Sequence, residues 1–135
     1  METLDIKPFE NAINSLKEVI EVWNQDKNND IVRDSLIQRF EYTYSMTLKM
    51  IKRFLKQTDL SNEDINSLTF NELIRKANQF SLLQTNLETW DEYRQKRNMT
   101  PHTYDENVAK EVVAIIPTFM EEAEFLLNKL KERLA

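Results

Sequence analysis

Apolar residues recur along this chain with a helical period from one end to the other. Phe9, Ala12, Ile13, Leu16, Val19, Ile20 and Trp23 fall three or four positions apart, which predicts a first helix from about Pro8 to Gln25. Pro8 suits the first helical position, where a missing N–H costs nothing. Asn28, Asn29 and Asp30 then supply a loop and a cap, and a second helix is expected from about Ile31 to Gln57, roughly 40 Å long at 1.5 Å per residue. Leu36, Ile37, Phe40, Tyr44, Leu48, Ile51 and Leu55 make one face of it. Tyr42, Met46, Met50 and Phe54 widen the apolar arc to roughly two thirds of the circumference, well beyond the ~100° stripe of a surface helix. Such a helix has to be covered on two sides. The Met46 and Met50 pair reads as gap-filling core in preference to a partner groove.

Helix starts are marked by three capping-box patterns. Thr69-Phe70-Asn71-Glu72 opens a third helix carrying Phe70, Leu73, Ile74, Ala77 and Phe80. Thr85-Asn86-Leu87-Glu88 opens a short one with Leu87, Trp90 and Tyr93, which should end near Asn98 because Pro101 disfavours helical geometry at Thr100. Thr103-Tyr104-Asp105-Glu106 starts the last helix, whose inward set runs from Val108 through Val112, Phe119 and Leu126 to Leu134. Pro117 lies inside it and predicts a kink, since the apolar period continues across it. The fold class expected is all-α: an up-and-down four-helix bundle with a short extra helix, one domain over residues 1–135.

Composition removes whole classes of function. The 135 residues contain no glycine and no cysteine. Gly-rich phosphate loops and dinucleotide fingerprints need glycine where backbone approaches a ligand, and thiolate metal sites and disulfides need cysteine. Little in such a chain should require φ > 0. No metal and no cofactor is expected. At this length roughly 65–70% of the unfolded surface is buried, and 41% apolar residues suffice for a core. No apolar run reaches membrane-spanning length and the first nine residues lack a basic start and an apolar stretch, so no membrane role and a cytoplasmic location are expected. The net charge of −5 argues against a generic nucleic-acid coat. Six basic residues against two acids between Ile31 and Gln57 fit either solvated helix faces or a surface turned to a polyanion.

The single histidine stands in Arg97-Asn98-Met99-Thr100-Pro101-His102-Thr103-Tyr104-Asp105. Arg94, Lys96 and Arg97 fall in a final helical turn, and His102 sits just before the next helix, whose free N–H groups favour anions. Guanidinium and imidazole without a carboxylate cluster or thiol suit phosphodiester chemistry without metal: Arg97 would hold the phosphate, His102 would move a proton, and Asn98 would orient either. On RNA the 2′-hydroxyl supplies an internal nucleophile. The same residue types also fit a bland account, since basic groups are favoured in any last turn and a boundary histidine often bonds nearby backbone. Tyr104 and Trp90 likewise have ordinary readings, as a capping-region residue and as core.

Two blocks, Ile37-Gln38-Arg39-Phe40-Glu41-Tyr42-Thr43-Tyr44-Ser45-Met46-Thr47-Leu48-Lys49-Met50 and Trp90 to Asp105, resemble the paired signatures of the HepT-like, nucleotidyltransferase substrate-binding protein family of the HEPN superfamily. The resemblance spans nearly the whole chain. It implies a small helical bundle, similar to the helical domain of aminoglycoside nucleotidyltransferases, that forms a homodimer and works with a minimal nucleotidyltransferase as toxin and antitoxin or as a two-part enzyme. In that family the Arg-x4-6-His motif is a metal-independent ribonuclease site in a cleft at the dimer interface. This carries over to Arg97 and His102 with Asn98 as polar neighbour, and makes Tyr104 the residue matching an adenylylated tyrosine. Glu41 is a candidate to pair with Arg97 and so orient or quench it, and Pro101 departs from the pattern by stiffening the loop before His102. Two function classes follow: a ribonuclease toxin acting on RNA, and a non-catalytic subunit that presents substrate to a nucleotidyltransferase.

Overall fold

The computed structural model describes residues 4–59, 61 and 63–134. Among these residues five helices follow one another: α1 (Lys7–Gln25), α2 (Asp30–Thr58), α3 (Phe70–Gln79), α4 (Leu87–Met99) and α5 (Glu106–Leu134). Short 3₁₀ turns at Ile65–Ser67 and Thr100–His102 precede α3 and follow α4, and neither is marked by apolar periodicity. Helices α1, α2, α4 and α5 pack around one core, with α3 as the short addition. α5 runs through Pro117 without a break.

The apolar arc of α2 finds its cover inside the chain, because α1, α3, α4 and α5 all pack on it. The buried stripe differs from the expected one. Thr43 and Thr47 are fully buried, and each hydroxyl donates to the carbonyl four residues back, Arg39 at 2.6 Å and Thr47 to Thr43 at 2.7 Å. A satisfied threonine costs little to bury, so α1 can approach closely there. Tyr42, expected on the apolar arc, is 43% exposed, and its hydroxyl meets that of Ser15 on α1 at 2.5 Å. Met50 is core and Met46 only borders it. Of the basic residues on α2, Arg39 is spent internally, donating to the Ser15 carbonyl at 2.8 Å.

Local chemistry explains the helix ends. The Thr69 box is complete: Glu72 N–H donates to the Thr69 hydroxyl and the Thr69 N–H to the Glu72 carboxylate. α3 stops at a Schellman turn, with Leu82 N–H bonded to the Ala77 carbonyl at 3.0 Å and Ser81 N–H to that of Asn78 at 3.0 Å. Ser81 takes φ 58° in this turn, a left-handed conformation that glycine would adopt freely and serine holds at about 1–2 kcal/mol. The other two boxes are corrected by one and two residues. Asn86 caps α4 by accepting from Thr89 N–H, and Asp105 caps α5 by accepting from Asn107 and Val108 N–H. Thr85 and Thr103 have other partners: Thr85 bonds Glu122, and Thr103 donates to the Thr100 carbonyl at 3.1 Å.

Candidate functional site

The first half of α4 is locked into the core. Trp90 and Tyr93 are fully buried and meet edge to face at 5.2 Å, and Tyr93 packs on Phe119 of α5 at 5.4 Å. Beneath them lies Glu122, 1% exposed, whose Oε1 accepts from the Trp90 indole N–H at 2.7 Å, the Thr85 hydroxyl at 3.1 Å and the N–H groups of Gln84 and Thr85 at 3.2 and 3.3 Å. One carboxylate oxygen therefore ties the loop before α4, and α4 itself, to α5 through charge-assisted hydrogen bonds. Its Oε2 and the Tyr93 hydroxyl are buried without a partner among the described residues. Burial foremost, then the Glu122 charge, pushes the Tyr93 phenol up to about 12. Sequence reading passed over Glu122, although its place three residues after Phe119 and four before Leu126 sets it on the inward face.

The last turn of α4 faces outward. Arg94 lies over the Phe70 ring at 4.8 Å and so braces α3, leaving Arg97 as the arginine of this turn that reaches toward α2. Thr100, 5% exposed, holds Arg97 twice: its hydroxyl donates to the Arg97 carbonyl at 2.8 Å and accepts from Nη1 at 3.2 Å. This hydroxyl and the Thr100 N–H, bonded to the same carbonyl, keep Thr100 helical at φ −59° and ψ −30° despite Pro101. The α-helix consequently reaches Met99 and passes directly into the 3₁₀ turn that ends on His102. Thr100 was missed in the sequence, where nothing local distinguishes it from an ordinary residue before proline.

Glu41 of α2 reaches the same guanidinium, with Oε2 3.8 Å from Nη1. Both side chains are about one-third exposed, 36% and 32%, so solvent screens the pair and it is worth roughly 0–1 kcal/mol. Arg97 and Glu41, with Gln38, Tyr42 and Ser45, line an open groove of about 410 Å³. Burial pushes the Tyr44 phenol up to about 12 against the opposing charges of Arg94 and Arg97, so it stays neutral. The structure thus brings Arg97 together with Glu41 and Thr100. Asn98, His102 and Tyr104 are exposed, Tyr104 at 87%, and no hydrogen bond holds the His102 ring or the Asn98 amide among the described residues. The backbone beneath them is tied by Thr100, Thr103 and Asp105. No group of three or more metal-binding side chains occurs among the described residues, and no described helix is long and apolar enough to cross a membrane.

Residues 4–132 match the family described as nucleotidyltransferase substrate binding protein like. The chain belongs to this family. A probable ribonuclease HepT of Haemophilus influenzae is 36% identical over 140 residues, covering 98% of this chain and 95% of that protein. A solved Haemophilus influenzae structure, described as the fold of a substrate binding domain of a nucleotidyltransferase, superposes with a TM-score of 0.86 at 33% identity, over 94% of this chain and 99% of the other. A Thermus thermophilus protein gives 0.71 at 26% identity, over 90% and 98%. Membership in this family ties the chain to nucleotidyltransferases and accounts for the helical fold, whose order of elements places the arginine and histidine run at the junction of α4 and α5.

Proposed function

We propose that this chain is a metal-independent ribonuclease that acts as a homodimer and is held in check by a minimal nucleotidyltransferase, the pair forming a toxin and its antitoxin in the cytoplasm. The observation that carries the reading is the junction itself: a guanidinium held by Thr100 and Glu41, and a solvent-facing imidazole five residues on, across a hydrogen-bonded turn. The likeness to a probable ribonuclease along nearly the full length supports it. In the reaction, the 2′-oxygen of RNA attacks phosphorus and loses its proton to an imidazole, while the P–O5′ bond breaks and the 5′-oxygen takes a proton. The products are a 2′,3′-cyclic phosphate and a 5′-hydroxyl. Arg97 stabilises the charge that builds on the phosphoryl oxygens, and Asn98 orients the phosphate or the ring. Each chain has one histidine, whereas the reaction needs a base and an acid. A second copy supplies the other His102, which is why a cleft between two copies suits this chemistry. Purified dimer that leaves single-stranded RNA and transfer RNA intact, with or without its partner, would sink the proposal.

Tyr104 is the proposed modification site. Its exposure admits a second enzyme, and an adenylyl group two residues from His102 adds bulk and negative charge where the RNA phosphate must sit. Tyr104→Phe is expected to fold and cleave as the native chain does and to escape silencing by the co-expressed nucleotidyltransferase. Silencing of that variant to the native extent would exclude the role.

A second reading, a non-catalytic subunit presenting substrate to a nucleotidyltransferase, is favoured by the structural relative described as a substrate binding domain. It requires a stable complex with the enzyme. Failure of the two to co-purify, with RNA cleavage present, removes it.

A further inference from the structure

Away from the Arg97 groove, a cleft of about 560 Å³ opens between the α1–α2 turn and the first half of α5. Trp23, Lys27, Arg33 and Lys110 line it, with Asp30 and Glu106 as the acids. It continues into a second hollow floored by Ile20, Leu36, Ile116 and Pro117, since Trp23, Lys27, Val113 and Ala114 border both. We propose that this cleft binds a mononucleotide through its phosphate and its base.

The cations are placed for an anion. Lys27 and Lys110 stand on opposite walls, one on the turn and one on α5, and neither makes an ion pair among the described residues. Arg33 is 15% exposed and meets Asp30 and Asp34 only at 3.6 Å, beyond good hydrogen-bond distance, while its Nε is buried without an acceptor. The positive charge on this wall is therefore incompletely answered by the chain, and a phosphate between the two lysines would answer it.

The remainder of the cleft suits a flat heterocycle. Trp23 is half-buried and borders both hollows, offering an aromatic side chain against which a base can stack. Pro117 has no N–H to give the Val113 carbonyl four residues back, and its ring packs toward that carbonyl, so the floor here presents apolar carbon to a flat ring. The volume falls within the ~300–1,000 Å³ of small-molecule sites. The lysines alone would take any anion; the tryptophan and the apolar floor select one with a base attached.

Calorimetric titration with AMP, adenosine and inorganic phosphate tests this. AMP is expected to bind, and each half alone to bind at least about tenfold more weakly. The Lys27→Gln/Lys110→Gln double variant, altered only at exposed positions, should lose about tenfold or more in AMP affinity, and Trp23→Leu a similar amount if it stays folded. Arg97→Ala should bind AMP as the native chain does, which separates this site from the ribonuclease reading, on which it does not depend. No heat from millimolar AMP with a folded native chain overturns the proposal. So does phosphate binding as tightly as AMP, or AMP affinity that survives the double-lysine change and is lost with Arg97→Ala.

Discussion

The two ends of α4 are built to opposite rules. At its start, Trp90, Tyr93 and the loop at Gln84 and Thr85 converge on one buried carboxylate, and polar atoms there are either bonded to it or sealed from water. At its end, Arg97 is steered by Thr100 and a partly solvated Glu41, while Asn98, His102 and Tyr104 stand in solvent above a bonded backbone. The first end carries stability and the second carries the groups proposed for cleavage and modification. A helix anchored at one terminus can thus present unpaired chemistry at the other, since exposed side chains contribute little to folding.

That division is most strongly tested by Arg97→Ala. It should lower RNA cleavage by about 10²–10³-fold, the loss typical of removing one charge-stabilising group, and move the unfolding free energy by less than about 1 kcal/mol. The companion change Glu41→Gln should alter the rate only a few-fold. Rate measurements paired with denaturant melts separate the two quantities, and equal losses of activity and stability from Arg97→Ala would show that the two ends of α4 are not divided in this way.

Glu122→Ala should do the reverse. It leaves the Trp90 indole and two backbone N–H groups without acceptors, at a cost of about 3 kcal/mol, or roughly 10 °C in Tm. Cleavage per folded molecule at low temperature should persist. A Tm within a degree of native would show that the carboxylate is not the anchor.

A smaller effect lies at high pH. Tyr44 and Tyr93 keep their protons up to about 12 in the folded state, whereas an unfolded tyrosine ionises near 10. Their folded values are raised, so the contribution is complete below about 10 and is lost as pH climbs toward 12. Phenolate absorbance from these two residues should therefore rise together with loss of helical circular dichroism. Ionisation near 10 with the helices intact would contradict their burial.

Much of this was legible in the sequence, and the failures concern where polar side chains find their partners. Helical period located all five helices, because an apolar stripe must face the core wherever it occurs. Thr69 was read correctly as a cap because its partners lie within one turn. Thr85 was misread because its hydroxyl answers Glu122, 37 residues away, which no local pattern encodes. Thr43 and Thr47 look polar by residue type yet are buried, since each satisfies its hydroxyl on its own helix. Tyr42 looks apolar and is half in solvent because its hydroxyl finds Ser15. For the site, spacing alone put Arg97 and His102 at a helix junction, but the tethering of Arg97 by Thr100, three residues on, requires Thr100 to stay helical, against the usual bias of a residue before proline.

Phosphodiester cleavage without metal is the reaction proposed for the junction of α4 and α5. The direct test is single-stranded RNA incubated in EDTA with the native dimer and with His102→Ala, followed by analysis of the product ends. Cleavage by the native chain alone, leaving 2′,3′-cyclic phosphate and 5′-hydroxyl ends, is the predicted result. Intact RNA with both proteins, or equal cleavage by both, would contradict it and leave Arg97 and His102 as docking residues for the nucleotidyltransferase.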